Sequence, residues 1–202
     1  MRTWILISGK QGAGKTTLAN NIGARLFDLG FTVQRASLAD PIRAAASQAV
    51  LSLNTNPTAD QYGRLLQLLG QWGREISEDF WIDRLVTRVY SLGMSPNYTI
   101  IDDVRFPNEI DKLKISPDDI AIKIRLWAPE HERKKRAEKW RPTDHPSETG
   151  MDSYPLNNFD AVIGTDITTK TETCEMLLNI LALRNNALRV RIQQERLSEA
   201  TQ

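Results

Sequence analysis

Apolar runs and amphipathic stretches alternate along most of this chain. Trp4-Ile5-Leu6-Ile7 is apolar at four successive positions, the pattern of a strand covered on both faces. From Thr17 to Leu29, Leu18, Ile22, Leu26 and Leu29 recur at the three- and four-residue spacing of a helix with one buried face. Further strand patterns lie at Thr32 to Ser37, Tyr98 to Asp102, Ile120 to Trp127 and Ala161 to Gly164. Strands and helices in this alternation make parallel βαβ units. The expected fold is therefore α/β, a five-stranded parallel sheet flanked by helices.

Between the second and third strands the pattern is helical only: Pro41 to Leu53, Ala59 to Ile76 and Asp79 to Leu92, interrupted by Asn54-Thr55-Asn56-Pro57 and Ser77-Glu78. This is a helical insertion over about residues 41–92. From Ala128 to Asp152, charge and proline replace the strand pattern, and the stretch reads as a lid. One long helix is expected at the end, from Thr171 to about Leu197, with Met176, Leu177, Ile180, Leu181 and Leu188 as its apolar stripe. All of this fits one domain of 202 residues.

Composition narrows the function classes. The 41% hydrophobic and 25% charged fractions are those of a globular protein. A formal net charge of +1 argues against a dedicated binder of duplex nucleic acid. A lone cysteine, Cys174, makes no internal disulfide and fits a reducing cytosol, where it is read as inert filler. Two histidines and one cysteine are too few for an ordinary zinc site. No apolar run reaches membrane-spanning length, so a cytoplasmic protein without a membrane partner is expected.

The chemistry begins at Gly9-Lys10-Gln11-Gly12-Ala13-Gly14-Lys15-Thr16, directly after the first strand. The spacing is that of a phosphate-binding P-loop, in which glycines let successive backbone N–H groups curl around phosphates at a helix N-terminus. Gly12, Ala13, Gly14, Lys15, Thr16 and Thr17 are the expected nucleotide-binding residues. Lys15 would reach the β- and γ-phosphates of ATP, and the Thr16 hydroxyl would ligate Mg2+. The third strand ends in Asp102 and Asp103, the arrangement that brings a carboxylate beside that metal. Asp103 is the preferred metal-linked acid and Asp102 the second choice, with period-two alternation sending the two to opposite faces.

Five motifs occur in order: Gly9 to Thr16; Leu38-Ala39-Asp40-Pro41-Ile42-Arg43; Leu69-Gly70-Gln71-Trp72-Gly73-Arg74-Glu75; Asp103-Val104-Arg105-Phe106-Pro107-Asn108-Glu109; and His145-Pro146-Ser147-Glu148. In this the chain resembles the deoxynucleoside monophosphate kinases of bacteriophages, within the wider P-loop nucleotide kinases, over most of its first 165 residues. The resemblance implies transfer of the ATP γ-phosphoryl group to a deoxynucleoside monophosphate, and a homodimer. It implies that Arg105 holds the acceptor's phosphate, with Arg43 and Arg74 on the insertion as the other side of the clamp and Asp103 supporting metal or acceptor. Asp40 either caps a helix through the Ile42 or Arg43 N–H or touches the substrate. Trp72 is read as core packing rather than a base platform.

The stretch Glu130 to Arg141, taken as one helix, puts Arg133, Arg136 and Trp140 on one face. Arg133, Arg136 and Arg141 are the candidates to neutralise charge in the transition state, against a plain solvated helix or a nucleic-acid contact. His145 to Glu148 is read as a turn and helix start, with Ser147 a potential cap, and His145 is not taken as a general base. Where the family carries an asparagine after the fifth strand, this chain has Thr165 in Gly164-Thr165-Asp166. Two other functions remain open on the sequence: a P-loop kinase acting on a base within DNA, and a slow nucleotide-gated regulatory ATPase.

Overall fold

The structure, a computed structural model, describes residues 2–91, 93, 96–113, 118–137, 140 and 146–200, with backbone alone at 199. Among these residues the strands are β1 (Thr3–Ser8), β2 (Val33–Ala36), β3 (Tyr98–Val104), β4 (Ile120–Trp127) and β5 (Ala161–Gly164). All pairings are parallel, in the order β2-β3-β1-β4-β5. The expected α/β sheet is thus present, and β3 runs two residues beyond its expected end. β1, the central strand, is buried along its whole length. Its carboxyl end, with those of its neighbours, is where a crevice forms in such sheets.

Two apolar clusters sandwich the sheet. Ile5, Ile7, Ile100, Ile122 and Ile124 face α1 (Lys15–Asp28), α8 (Lys170–Arg184) and α9 (Asn186–Glu199), meeting Leu18, Ile22, Leu26, Leu177, Leu181 and Leu188. Trp4, Leu6, Ile101 and Val104 face the other way, against Ile82, Leu85 and Val89 of α4 (Phe80–Ser91) and Ile110 of α5 (Pro107–Lys112). Each fully buried aliphatic side chain of this kind contributes about 1.5–3 kcal/mol.

The insertion consists of α2 (Ala39–Ser52), α3 (Ala59–Ile76) and α4. α3 starts at a capping box, in which the Thr58 hydroxyl accepts from Gln61 N and the Gln61 side chain accepts from Thr58 N. α3 and α4 meet where Gly73 leaves room: a Cβ there would lie 2.4 Å from Trp81 Nε1, which donates to Gly70 O at 3.0 Å. Trp72 is not a core residue. It is 56% exposed and forms an edge-type ring pair with Phe80, while Trp81 of α4 is the buried tryptophan here.

The C-terminal stretch is two helices, not one. Asn185 (φ −133°, ψ 104°) breaks it, caps α9 by accepting from Leu188 N at 3.2 Å, and donates to the Tyr98 hydroxyl at 2.9 Å. The bend lets Leu188 and Ile192 reach the core while Met176 stays half-exposed. Arg25 of α1 pairs with Glu195 of α9 and so fastens the returning helix. Cys174 is buried, and burial pushes its thiol up to about 11, as suits an unreactive side chain. No described helix is long and apolar enough to cross a membrane.

Candidate active site

The loop between β1 and α1 is shaped by glycine. Gly12 (φ 77°) and Gly14 (φ 90°) occupy left-handed conformations that other residues adopt only at a cost of about 1–2 kcal/mol. Gly14 stands at the N-cap of α1, and among the described residues no side chain caps that helix, whose first N–H groups have no intrahelical partner. Lys15 folds back beneath the loop, its Nζ donating to Gly9 O at 2.7 Å and Lys10 O at 3.1 Å. Burial, and next the positive charge of Arg105, lower its pKa from 10.5 to about 7. A polyphosphate beside it would restore the charge.

A cleft of about 390 Å³ opens at this point. Gln11, Gly12, Lys15 and Thr16 form one wall; Arg35, Ser37, Arg43, Asp102, Asp103 and Arg105 form the rest. Four cations face two acids. Of the remaining loop residues named from sequence, Ala13 is in the core, and Gly14 and Thr17 are partly exposed outside the lining.

The two acids at the end of β3 have different partners, and both line the cleft. Asp103 Oδ1 accepts from Leu38 N at 2.9 Å, and its Oδ2 accepts from Ala39 N at 3.0 Å and the Ser37 hydroxyl at 2.6 Å. Both oxygens accept from the start of α2, so Asp103 anchors the insertion while it also lines the cleft. Asp102 pairs with Arg35 at 2.8 Å through Oδ2 and lines the cleft with Thr16. A β-bulge explains why both reach the same cleft: Leu6 pairs with Ile101 and Ser8 with Val104, so β3 carries one extra residue here. Simple alternation would separate Ile101 and Val104, yet both pack in one cluster.

Asp40 does not cap through the Ile42 or Arg43 N–H. Its carboxylate instead reaches back to Ser37 N at 3.1 Å and accepts from Arg43 Nη1 at 3.0 Å. Arg43 is thereby laid along the rim of the cleft, half-exposed. Arg74 is not in the lining. Its guanidinium lies 4.9 Å from the Phe106 ring and makes no hydrogen bond or ion pair among the described residues, and burial lowers its pKa. It is a half-buried cation with spare donors beside the Arg105–Phe106 turn.

That turn is held from two sides. Glu109, in the first turn of α5, accepts from Arg105 N at 2.6 Å and Phe106 N at 3.0 Å, and burial pushes its carboxyl up to about 7. Gly150 abuts the turn so closely that a Cβ would lie 2.7 Å from Arg105 O and 2.8 Å from Phe106 Cδ1. Just before it, α7 (Pro146–Thr149) delivers the carboxylate of Glu148, which meets Arg105 Nη1 at 2.6 Å. Arg125 of β4 donates to the Ser8 hydroxyl at 2.9 Å, and Lys10 pairs with Asp152 at 2.7 Å. Sequence reasoning did not assign Glu148, Glu109, Arg35, Ser37 or Arg125. The only sequence signal was that Glu148 and Glu109 lie inside recognised motifs.

The charged stretch after β4 is a shorter helix than expected, α6 (Glu130–Arg136), ending at an extended Ala137. Arg133 is buried and is not in the cleft lining. Its Nε donates to Ala128 O and its Nη1 to Gln11 O, both at 3.0 Å, and its guanidinium lies 5.3 Å from the Trp140 ring. Through Gln11 O, Arg133 ties α6 to the phosphate loop. Arg136 grips Thr165, with Nη1 on Oγ1 and Nη2 on the carbonyl at 3.0 Å each, while Thr165 Oγ1 donates to Ala13 O at 3.1 Å. Arg141 and His145 lie outside the described residues.

No protein-family model matches this sequence, and no curated protein matches it. Among solved structures, the chain is similar to a gluconokinase from Sinorhizobium meliloti 1021, with TM-score 0.52 and 15% identity over 95% of this chain and 99% of that one. It is similar as well to TT1252 from Thermus thermophilus, with TM-score 0.52 and 17% identity over 91% of this chain and 97% of that one. At these identities the likeness is one of fold, and with the sheet order and the loop after β1 it identifies the P-loop kinase fold.

Proposed function

We propose that this protein is a kinase that transfers the terminal phosphoryl group of ATP to the phosphate of a deoxynucleoside monophosphate, giving the diphosphate and ADP. The observation that carries the reading is the cleft itself, in which Lys15 and Thr16 of the phosphate loop face Arg35, Arg43 and Arg105 across a gap of substrate size. Two anionic ligands meeting there would need this surplus of cations. The P-loop kinase fold and the motif order that resembles the bacteriophage enzymes support the same conclusion.

The donor set fits ATP and Mg2+. The uncapped start of α1 and Lys15 suit the β- and γ-phosphates, and the Thr16 hydroxyl with Asp102 suits a hard cation. Magnesium, when bound, would neutralise charge on the phosphate oxygens. In the reaction an oxygen of the acceptor's phosphate forms the new bond to the γ-phosphorus as the bond to the ADP oxygen breaks. That nucleophile is already an anion, so no general base is needed, and positioning with electrostatics carries the rate. This choice agrees with Asp103, whose two oxygens are committed to α2. A hydroxyl acceptor, as on a base in DNA, would ask more of the site.

Arg105 and Arg43 would hold the acceptor's phosphate, with Arg74 closing from the insertion. The stretch from Ala128 to Asp152 would serve as the lid, with Arg136 and Thr165 bordering the donor nucleoside. A coupled assay of ADP release with ATP and a panel of natural and base-modified deoxynucleoside monophosphates tests the reading. The expected result is ADP release that depends on at least one monophosphate, with Arg74→Ala raising that acceptor's KM and sparing ATP binding. ADP release indifferent to every acceptor would favour a slow regulatory ATPase instead.

A further inference from the structure

Glu148 touches both halves of the cleft at once. Its Oε2 accepts from the Gln11 backbone N–H of the phosphate loop at 2.7 Å, and its Oε1 accepts from Arg105 Nη1 at 2.6 Å. The side chain is only 9% exposed, so both bonds are made largely out of water, where a charge-assisted pair is strong and directional. Arg105 is gripped by one nitrogen alone. Nη1 also donates to Ser147 O at 3.2 Å, whereas Nε and Nη2 have no partner among the described residues. Two oxygens on one nitrogen stop the guanidinium from turning, and the ungripped donors are left for the cleft that Arg105 lines.

We propose that Glu148 is a positioning residue that fixes the acceptor arginine relative to the donor loop. One carboxylate reads the place of the loop through Gln11 and transmits it to Arg105, so that an anion held by Arg105 lies in register with a phosphoryl group held by the loop. The inference rests on the kinase reading above. It adds that the last helical turn before Gly150, and not only the arginines, sets how the two phosphates are aligned. The close approach of Gly150 to Arg105 O keeps that turn in place.

The test is steady-state kinetics of E148Q, E148D, R105A and the double variant E148Q/R105A, with ATP and the acceptor that the panel identifies. Gln offers one accepting oxygen where two are used, so it can serve Gln11 or Arg105 but not both. E148Q should raise the acceptor KM about tenfold or more and lower kcat, while ATP affinity by calorimetry changes less than about threefold. In the R105A background E148Q should add less than about twofold, because the residue it positions is gone. E148D, which keeps the charge but withdraws it by one methylene, should lie between wild type and E148Q. An acceptor KM within about twofold of wild type in E148Q, or equal losses in both backgrounds, overturns the proposal. Failure of the wild type to use any monophosphate overturns the kinase reading as well, which separates the two.

Discussion

The carbonyl of Arg133 lies against Gly12 so tightly that a methyl group on Gly12 would come within 2.4 Å of it. The first turn of α6 and the middle of the phosphate loop are therefore in backbone contact, and Arg133 Nη1 on Gln11 O ties them a second time.

Gly12→Ala should accordingly damage the site more than the fold. It meets a left-handed φ of 77° and the Arg133 carbonyl together. The left-handed conformation alone costs about 1–2 kcal/mol, and the clash forces α6 off the loop. Turnover should fall at least about a hundredfold, with the melting temperature lowered by only a few degrees. Kinetics alongside thermal melting would check this, and wild-type turnover in the variant would contradict the contact.

Lys15 should make stability depend on pH in a stated direction. Folding lowers its pKa from 10.5 to about 7, so between those values the unfolded chain binds the proton that the folded chain has released. Its contribution to stability therefore rises as pH is raised from about 7 towards 10.5, and below about 7 the whole cost of burying the charge is borne. Lys15→Met should remove that part of the slope and stabilise the nucleotide-free protein at and below pH 7. Melting curves across the range would show it. Binding of ATP at pH 8 should take up a fraction of a proton, detected by calorimetry in buffers of different ionisation enthalpy.

Asp102 and Asp103 should separate cleanly. Asp103→Ala removes the acceptor of the Leu38 and Ala39 N–H groups at the start of α2 and should cost about 1–2 kcal/mol, as loss of a helix cap does. Asp102→Ala loses an ion pair whose arginine is 41% exposed, which is worth little to stability. It should instead raise the magnesium concentration needed for half-maximal turnover. Thermal melts and magnesium titrations of both variants would check the assignment, and the reverse outcome would return the metal to Asp103.

The architecture was legible because it rests on local signals. The four-residue apolar run of β1 and the spacing of Leu18, Ile22 and Leu26 announced a doubly covered strand and an amphipathic helix, and the structure has both. The range Ala59 to Ile76 was readable from its periodicity between two breaks. What failed was decided by contacts between distant segments. Trp72 lies outside the core while Trp81 is buried, and the final helix breaks at Asn185, whose side chain bonds Tyr98 across 87 positions. The contact of Arg133 with Gln11 O, across 122 positions, had no local signal either.

By itself the amino-acid sequence determined the strand and helix order and the phosphate loop, since periodicity, glycine spacing and a lysine beside a threonine act over a few residues. The pairing of charges was decided by tertiary structure alone. One extra residue in β3 opposite Ile7 turned both Asp102 and Asp103 to the cleft, the arrival of α2 gave Asp103 its amide partners, and α7 brought Glu148 across 137 positions to the Gln11 N–H. A carboxylate's partner depends on which amides and guanidiniums the folded chain sets within 3 Å, and no local pattern carries that distance.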